Sequence, residues 1–83
     1  MPQRLHDQDY AALIRHLVEA RERARMTQVE LARRLGRPQS FVSKFERLER
    51  RLDVGEWRQV SLALGLDPVA EFAEASNKLA RPG

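Results

Sequence analysis

Two short helices joined by a tight turn are encoded in the stretch from Thr27 to Arg47. Thr27 can accept hydrogen bonds from the backbone N–H groups of a first helical turn, and Glu30 can reach back to it, which makes a capping box. Gly36 stands where this helix has to end, because a terminating residue needs a positive φ that glycine adopts without strain. The sequence therefore predicts a helix over residues 28–35.

A second helix is predicted to start almost immediately, over residues 38–47. Pro38 suits its first position, because the N–H that proline lacks would have no partner there. Val42 and Phe45 are three residues apart and face inward together. A connection of about three residues makes the two helices cross steeply, and Ala32 supplies a small side chain where their backbones approach. This arrangement is a helix-turn-helix, whose second helix can enter the major groove of DNA.

The remaining residues predict three further helices and no strand. Residues 1–7 are expected to be loose, and an apolar stripe of helical spacing predicts a first helix over 8–25. A fourth helix opens at Asp53, with Glu56 three residues later as the second half of a capping box. A fifth helix is expected over 67–80. The expected fold is a compact all-α bundle of five helices that forms a single domain over the whole chain.

Several classes of protein are excluded by what the chain lacks. It has 83 residues and no cysteine, which excludes a disulfide framework, a thiolate nucleophile and a cysteine-ligated zinc site. That composition fits a reducing cytoplasm. No apolar run approaches the roughly 20 residues that span a bilayer, and the first ten residues lack the apolar core of a signal peptide. We therefore expect a cytoplasmic protein without a membrane partner.

The positive charge is concentrated around the helix-turn-helix. From residue 21 to residue 51 there are ten Arg or Lys and four Glu, a net charge of +6. From residue 52 to residue 80 there are two basic and five acidic residues, a net charge of −3. A solvated arginine-rich surface would be the simplest interpretation of such a stretch. Its coincidence with the motif favours a surface that binds phosphate groups instead.

No combination of residues predicts catalysis. A Ser/His/Asp set, a metal-ligand cluster and a glycine-rich phosphate loop are all missing from the sequence. His6 and His16 have no second ligand at helical spacing, so both are expected at the surface. Trp57 falls on the inward stripe of the fourth helix and is expected in the core, the alternative being a stacking platform for a base. We expect no enzymatic activity, no cofactor, no metal and no small-molecule ligand.

The chain resembles a known family over residues 26–66. It is similar to the helix-turn-helix domain of the phage repressor and Cro type, also called the xenobiotic response element (XRE) family. The matching residues, together with the stretches R-R-L-D-V and A-L-G-L-D-P, are Gln28, Ala32, Gly36, Gln39, Ser40, Val42, Ser43 and Glu46. The resemblance implies a lambda-repressor-like bundle that binds double-stranded DNA as a homodimer and usually represses transcription.

The resemblance implies that Gln39, Ser40 and Lys44 occupy the positions that read bases. The chemistry of these side chains agrees, because glutamine can bond adenine N6 and N7 together, lysine can donate to guanine O6 and N7, and serine is permissive. Ser43 shares the outer face and is a candidate for a base or phosphate contact. Phe41 has two open interpretations, contact with a thymine methyl group or cover for apolar surface near the fourth helix.

Five residues are candidates for phosphate contacts, namely Gln28, Arg37, Arg47, Arg50 and Arg51. In the family, the glutamine that matches Gln28 holds the DNA backbone and braces the first glutamine of the reading helix. Plain solvation remains the alternative for each arginine. The family's glutamate, here Glu46, pairs with an arginine of the first helix, and Arg21 is the matching position.

Two departures from the family pattern concern the ends of the reading helix. A glycine usually stands two positions after the glutamate, where this chain has Leu48. That leaves open whether the helix ends there or runs one turn longer. Arg37 stands where the family more often has a small polar cap.

Apolar residues near the C-terminus exceed what one small core needs, and they indicate a contact with another chain. The candidates are Leu62, Leu66, Val69, Phe72 and Leu79. We expect a symmetric homodimer, since a domain of this size buries only about 60% of its unfolded surface and gains from a partner subunit. The alternative is that the fifth helix simply folds back on the first.

The leading functional hypothesis is a sequence-specific DNA-binding transcriptional regulator, more specifically a repressor. An alternative of a different class is an antitoxin or accessory protein-interaction module, which would use the same fold to bind a different protein chain.

Overall fold

The computed structural model describes residues 3–79, with side chains from residue 8 onward. The described chain contains five α-helices and no strand, and its radius of gyration is 12.8 Å. The helices are α1 Gln3–Arg23, α2 Gln28–Leu35, α3 Gln39–Glu46, α4 Val54–Ala63 and α5 Pro68–Leu79. The predicted all-α, five-helix architecture is confirmed. Within the described range, no helix has the length and apolarity that crossing a membrane requires.

The bounds of the first and last helices differ from the prediction. The expectation of a loose N-terminus is wrong for residues 3–7, because α1 already begins at Gln3 and no glycine or proline interrupts it. Residues 1–2 lie outside the described range. α1 ends at Arg23 because Arg25 takes a left-handed φ of 57°. α5 begins one residue later than predicted, and residue 80 is not among the described residues.

The reading helix is shorter than predicted at both ends. Pro38 is the N-cap, with φ −63° and ψ 153°, so Arg37 does not occupy the cap position and Pro38 is not the first helical residue. The helix does not run one turn longer, because Leu48 adopts a left-handed φ of 66°. The Leu48 N–H donates to Phe45 O at 3.1 Å and the Glu49 N–H to Lys44 O at 2.8 Å. These two bonds form a Schellman motif, in which leucine occupies the left-handed position that is usually taken by glycine.

The starts of α2 and α4 are capped to different degrees. The Thr27 hydroxyl accepts from the Glu30 N–H at 3.0 Å, but the Glu30 carboxylate turns to Arg33 and Arg34, so the predicted capping box is only half formed. At α4 the box is complete, because Asp53 and Glu56 each accept the other's backbone N–H. Glu56 is therefore held at the start of α4 by the backbone itself.

Apolar side chains of the first four helices and the turn after α4 form one core. Its most deeply buried members are Ile14, Leu17, Leu31, Val42, Phe45 and Val60. Ala32 is buried on α2, which packs against α3. Phe41 is also buried, and its ring meets that of Phe45 edge-on at 5.6 Å between centroids. The structure therefore supports a packing role for Phe41 and does not support contact with a thymine methyl group.

The fifth helix folds back on α1 and α4, and a buried histidine joins it to α1. The prediction that His16 lies at the surface is wrong, because only 2% of this residue is exposed. Its Nε2 lies 2.7 Å from Glu71 Oε1 and its Nδ1 lies 2.9 Å from Lys78 Nζ. The sequence pattern missed this because α5 covers a second face of α1, beside the apolar stripe. His6 lies in the range without described side chains.

Candidate nucleic-acid interface

The third helix has one buried apolar face and one polar face toward solvent. Gln39, Ser40 and Lys44 are exposed, and Ser43 is half-buried with its hydroxyl donating to Ser40 O at 3.4 Å. The apolar residues of the same helix, Phe41, Val42 and Phe45, are buried in the core. The four side chains that were predicted to meet bases therefore lie on or beside the outer face of one short helix.

A chain of hydrogen bonds runs from the core to the first turn of this helix. Arg21 donates to both carboxylate oxygens of Glu46, at 2.7 and 3.1 Å, and also to Met26 O at 2.7 Å. Gln28 Nε2 donates to Glu46 Oε1 at 2.8 Å. Gln39 Nε2 then donates to Gln28 Oε1 at 2.9 Å. We call these four residues, Arg21, Glu46, Gln28 and Gln39, the amide relay.

The charged end of the relay determines how its amides are oriented. A carboxylate only accepts hydrogen bonds, so Glu46 must face the NH₂ group of Gln28 and leaves the Gln28 oxygen pointing to Gln39. The Arg21 and Glu46 side chains are 13% and 8% exposed, which keeps competing water away from the pair. The structure thus brings together the predicted ion pair and the predicted brace between Gln28 and Gln39 in one network.

A second carboxylate, Glu56, gathers two of the arginines that were predicted to contact phosphates. Arg50 forms two parallel bonds to it, Nη1 to Oε1 and Nη2 to Oε2, each 2.9 Å long. Arg37 Nη2 reaches Oε2 at 3.4 Å. Both guanidinium groups also lie over the Phe41 ring, with their central carbons 4.3 Å (Arg37) and 4.8 Å (Arg50) from its centroid. We call Glu56, Arg37, Arg50 and Phe41 the arginine cluster.

Hydrogen bonding keeps the Glu56 carboxylate ionised. The bonds from Arg50 lower its pKa most, and the Asp53 backbone N–H lowers it further against the opposing effect of burial, so that the pKa falls from 4.5 to about 2. The same bonds raise the pKa of Arg50. Sequence reasoning treated Glu56 only as a helix cap, because its partners lie 6 and 19 residues away, outside any helical spacing.

The other predicted phosphate ligands lie near the ends of α3. Arg47 follows α3 directly, is 64% exposed along its side chain and pairs with the exposed Glu49 at 3.2 Å. Arg51 lies over the Tyr10 ring, with its guanidinium carbon 4.4 Å from the centroid. Gln28 is the first residue of α2, where backbone N–H groups favour an anion.

Comparison with known proteins supports the assignment of a helix-turn-helix. A helix-turn-helix family model matches residues 17–70. A solved structure, an XRE-family like protein from Pseudomonas syringae pv. tomato str. DC3000, is 47% identical in sequence, with a TM-score of 0.88, and the match covers 95% of this chain and 96% of that one. This chain belongs to the XRE-type helix-turn-helix family. No curated protein matches it significantly. Membership of the family points to a DNA-binding transcription regulator, and the family is typically non-enzymatic.

On another side of the protein, α1, α4 and α5 enclose an apolar cleft of about 580 Å³. Trp57 lies in its wall, donates from Nε1 to Pro68 O at 3.1 Å and meets the Phe72 ring edge-on at 5.7 Å. Trp57 packs against the core, as predicted, and its partners are on α5 rather than on the reading helix. Val54 and Val69, which are largely exposed, form the rim of this cleft.

The residues that were predicted to form a dimer contact do not lie around one cavity. Val69 and Phe72 line the apolar cleft, whereas Leu62 lines a separate groove beside Arg34 and Arg37. Leu66 is half-buried against the core, and Leu79 is half-buried at the end of α5.

One group of described side chains has the composition of a metal site. His16, Glu71 and Glu74 place potential ligand atoms within 4.8 Å of one another. The Lys78 ammonium, however, can only donate, so it requires the unprotonated nitrogen of His16 to be Nδ1. Nε2 then carries the proton toward Glu71, and no lone pair of the ring remains for an ion. These contacts fit a structural link between two helices.

Proposed function

We propose that this protein is a sequence-specific repressor of transcription that binds double-stranded DNA as a homodimer in the cytoplasm. The observation that carries the proposal is the amide relay, which connects the buried Arg21–Glu46 pair to the exposed first turn of the reading helix. A polar side chain that is held in place before binding loses less freedom when it meets a base. The relay therefore suits recognition of a specific sequence.

The relay leaves Gln39 able to read an adenine. One N–H of its amide is used by Gln28, and the second N–H and the oxygen remain for adenine N7 and N6. Lys44 lies more than one turn later on the exposed side and is assigned to guanine O6 and N7. Ser40 and Ser43 are assigned supporting contacts to bases or nearby phosphates.

Phosphate contacts are assigned to the ends of the two helices. Gln28 lies at the start of α2, and the exposed guanidinium group of Arg47 lies directly after α3. Arg37, Arg50 and Arg51 supply further positive charge around the same helix. Contacts of this kind fix the orientation of the protein on the duplex without reading its sequence.

The dimer contact is assigned to the apolar surface of α5 and the rim of the cleft. Val69 is 77% exposed, and Phe72 lies half-exposed beside it. Leu79, at the end of α5, would extend this contact, whereas Leu62, in the separate groove, and Leu66, against the core, would add to it only at its edge. A two-fold axis at this surface would present two reading helices to successive major grooves, roughly 34 Å apart.

Selection of bound sites from random duplex DNA at a fixed salt concentration tests the proposal. We expect an enriched sequence with two related half-sites whose centres lie about 10 base pairs apart. Analytical ultracentrifugation of the same sample should show a dimer that Val69→Asp and Phe72→Asp weaken. Absence of any enriched sequence would contradict sequence-specific binding.

The exposed apolar surface also favours a second candidate function, an antitoxin or accessory module that binds a different protein chain. A pull-down that gives one stoichiometric partner, together with an absence of salt-dependent DNA binding, would support this candidate over the repressor.

A further inference from the structure

The arginine cluster holds two cations on one carboxylate beside the predicted DNA-binding surface. Arg37 precedes the N-cap of α3, and Arg50 follows the turn that ends α3. Their side chains are 36% and 41% exposed, so both can be reached from solvent. Glu56 is buried, which makes it the fixed centre of the cluster.

The two arginines are not held equally. Arg50 makes two bonds of 2.9 Å to Glu56 and a further one of 3.0 Å to Arg51 O. Arg37 makes a single contact to Glu56 at 3.4 Å and otherwise rests on the Phe41 ring. The geometry makes Arg50 a structural partner of Glu56 and Arg37 the weakly held one.

A carboxylate and a phosphate offer an arginine the same chemistry, a pair of anionic oxygens at the spacing of its N–H groups. Glu56 offsets the charge of Arg37, and turning both Nη groups of Arg37 toward a phosphate would cost its contact with Glu56. We propose that Glu56 is an internal competitor for DNA phosphates, which holds Arg37 until a duplex displaces it and thereby limits binding to DNA of random sequence. This inference rests on the proposed DNA-binding function.

The consequence concerns the phosphate contribution to affinity, which binding to any duplex shares. Binding to random DNA depends almost entirely on phosphate contacts, whereas binding to a specific site also gains from base contacts. A carboxylate that opposes one phosphate contact therefore lowers both kinds of binding by a similar factor, and binding to random DNA, which has no base contacts, reports that factor directly. The exposed Arg47, paired only with an exposed glutamate two residues away, lacks such a restraint.

Glu56→Gln tests the inference on a random-sequence duplex, so no operator has to be known. Glutamine preserves the side-chain shape and can still cap α4, and far-UV circular dichroism checks the fold. We expect affinity at about 100 mM salt to rise by about threefold to tenfold, and the slope of log K against log salt to steepen by about 1, the value for one phosphate contact.

The matched control is Glu49→Gln, which changes the net charge equally at an exposed carboxylate near the same helix. We expect less than a twofold rise in affinity and no change in slope. Arg37→Gln should lower random-DNA affinity more in the Glu56→Gln background than in the native one. An equal gain for both glutamate variants, or a weaker binding by Glu56→Gln, would overturn the inference.

A second measurement needs no variant at Glu56. In the NMR spectrum of the native protein, adding the random duplex should move the side-chain Nε–H signal of Arg37 and leave that of Arg50 in place. An unmoved Arg37 signal on a bound protein contradicts the inference. If the native protein shows no salt-dependent binding at all, the proposed DNA-binding function fails instead, so the two failures are distinguishable.

Discussion

Glu46 is the last residue of the reading helix, and Glu56 lies beside that helix. Both carboxylates are largely buried, but they bind different partners. Glu46 binds one arginine and also accepts a hydrogen bond from the neutral amide of Gln28. Its charge is therefore balanced, and the chain of hydrogen bonds continues to Gln39. Glu56 holds two arginines, so one positive charge remains in excess at the surface. In the proposed function, the first site positions a base-reading side chain and the second controls the positive charge that binds phosphates.

The largest expected effect follows from breaking the Glu46 site. Arg21→Ala leaves a carboxylate buried without its cation, and we expect unfolding free energy to fall by about 3–5 kcal/mol. Urea unfolding followed by circular dichroism measures this. The control is Arg47→Ala, which breaks an exposed pair and should cost less than about 0.5 kcal/mol. Equal losses for the two variants would mean that the buried pair does not stabilise the fold.

Gln39→Ala removes the far end of the same relay without touching its charged end. We expect a loss of about 1–3 kcal/mol in binding to a selected site, because one bidentate base contact disappears. Binding to random DNA and the unfolding free energy should change by less than about 0.5 kcal/mol. Fluorescence anisotropy on both duplexes measures the difference. Equal losses on both would contradict the assignment of Gln39 to a base.

The amide relay shows how far the sequence alone could lead. Local signals, such as the spacing of Val42 and Phe45 and the glycine at position 36, predict helices because their causes lie within a few residues. The contacts Arg21–Glu46 and Gln28–Gln39 join residues 25 and 11 positions apart. These were expected only from the family resemblance, which carries information about tertiary neighbours that local pattern lacks.

The arginine cluster and His16 show where sequence reasoning stopped. Glu56 was recognised as a cap, but nothing in the sequence indicates that an arginine six residues earlier and another 19 residues earlier converge on it. His16 lay off the apolar stripe of α1, so its burial depended on the path of α5. In both cases a polar group is covered by residues that are distant in the sequence, and the spacing of apolar residues along a helix does not indicate such contacts.

Lowering the pH should destabilise the protein through protonation of Glu56. The folded-state pKa of Glu56, about 2, lies below its ordinary value of 4.5, so the stabilisation is fully present above pH 4.5 and is lost as the pH falls toward 2. Because Arg50 is partly exposed and screened, we expect this part of the loss to be about 1–2 kcal/mol.

Urea unfolding at several pH values between about 2 and 5 measures this dependence. Glu56→Gln has no proton to gain at this position, so its stability should fall by about 1–2 kcal/mol less than that of the native protein over the same range. Parallel curves for the two proteins would show that the Glu56 carboxylate does not stabilise the fold through its ionised form.

The smallest expected effect concerns the turn that joins the two glutamate sites. Leu48 holds a left-handed φ of 66°, which costs a leucine roughly 1–2 kcal/mol and a glycine almost nothing. Part of that gain is lost because glycine makes the unfolded chain more flexible. We therefore expect Leu48→Gly to raise the unfolding free energy by about 0.5–1 kcal/mol.

Gly36→Ala is the mirror control for that prediction, because Gly36 ends α2 at a φ of 69° and an added Cβ would meet nothing within 4 Å. Its cost therefore reports backbone strain alone, and we expect a loss of about 1 kcal/mol. Thermal unfolding resolves both shifts in a domain of this size. If Leu48→Gly destabilised the protein, the half-exposed leucine side chain would have to contribute more by packing than its left-handed backbone conformation costs.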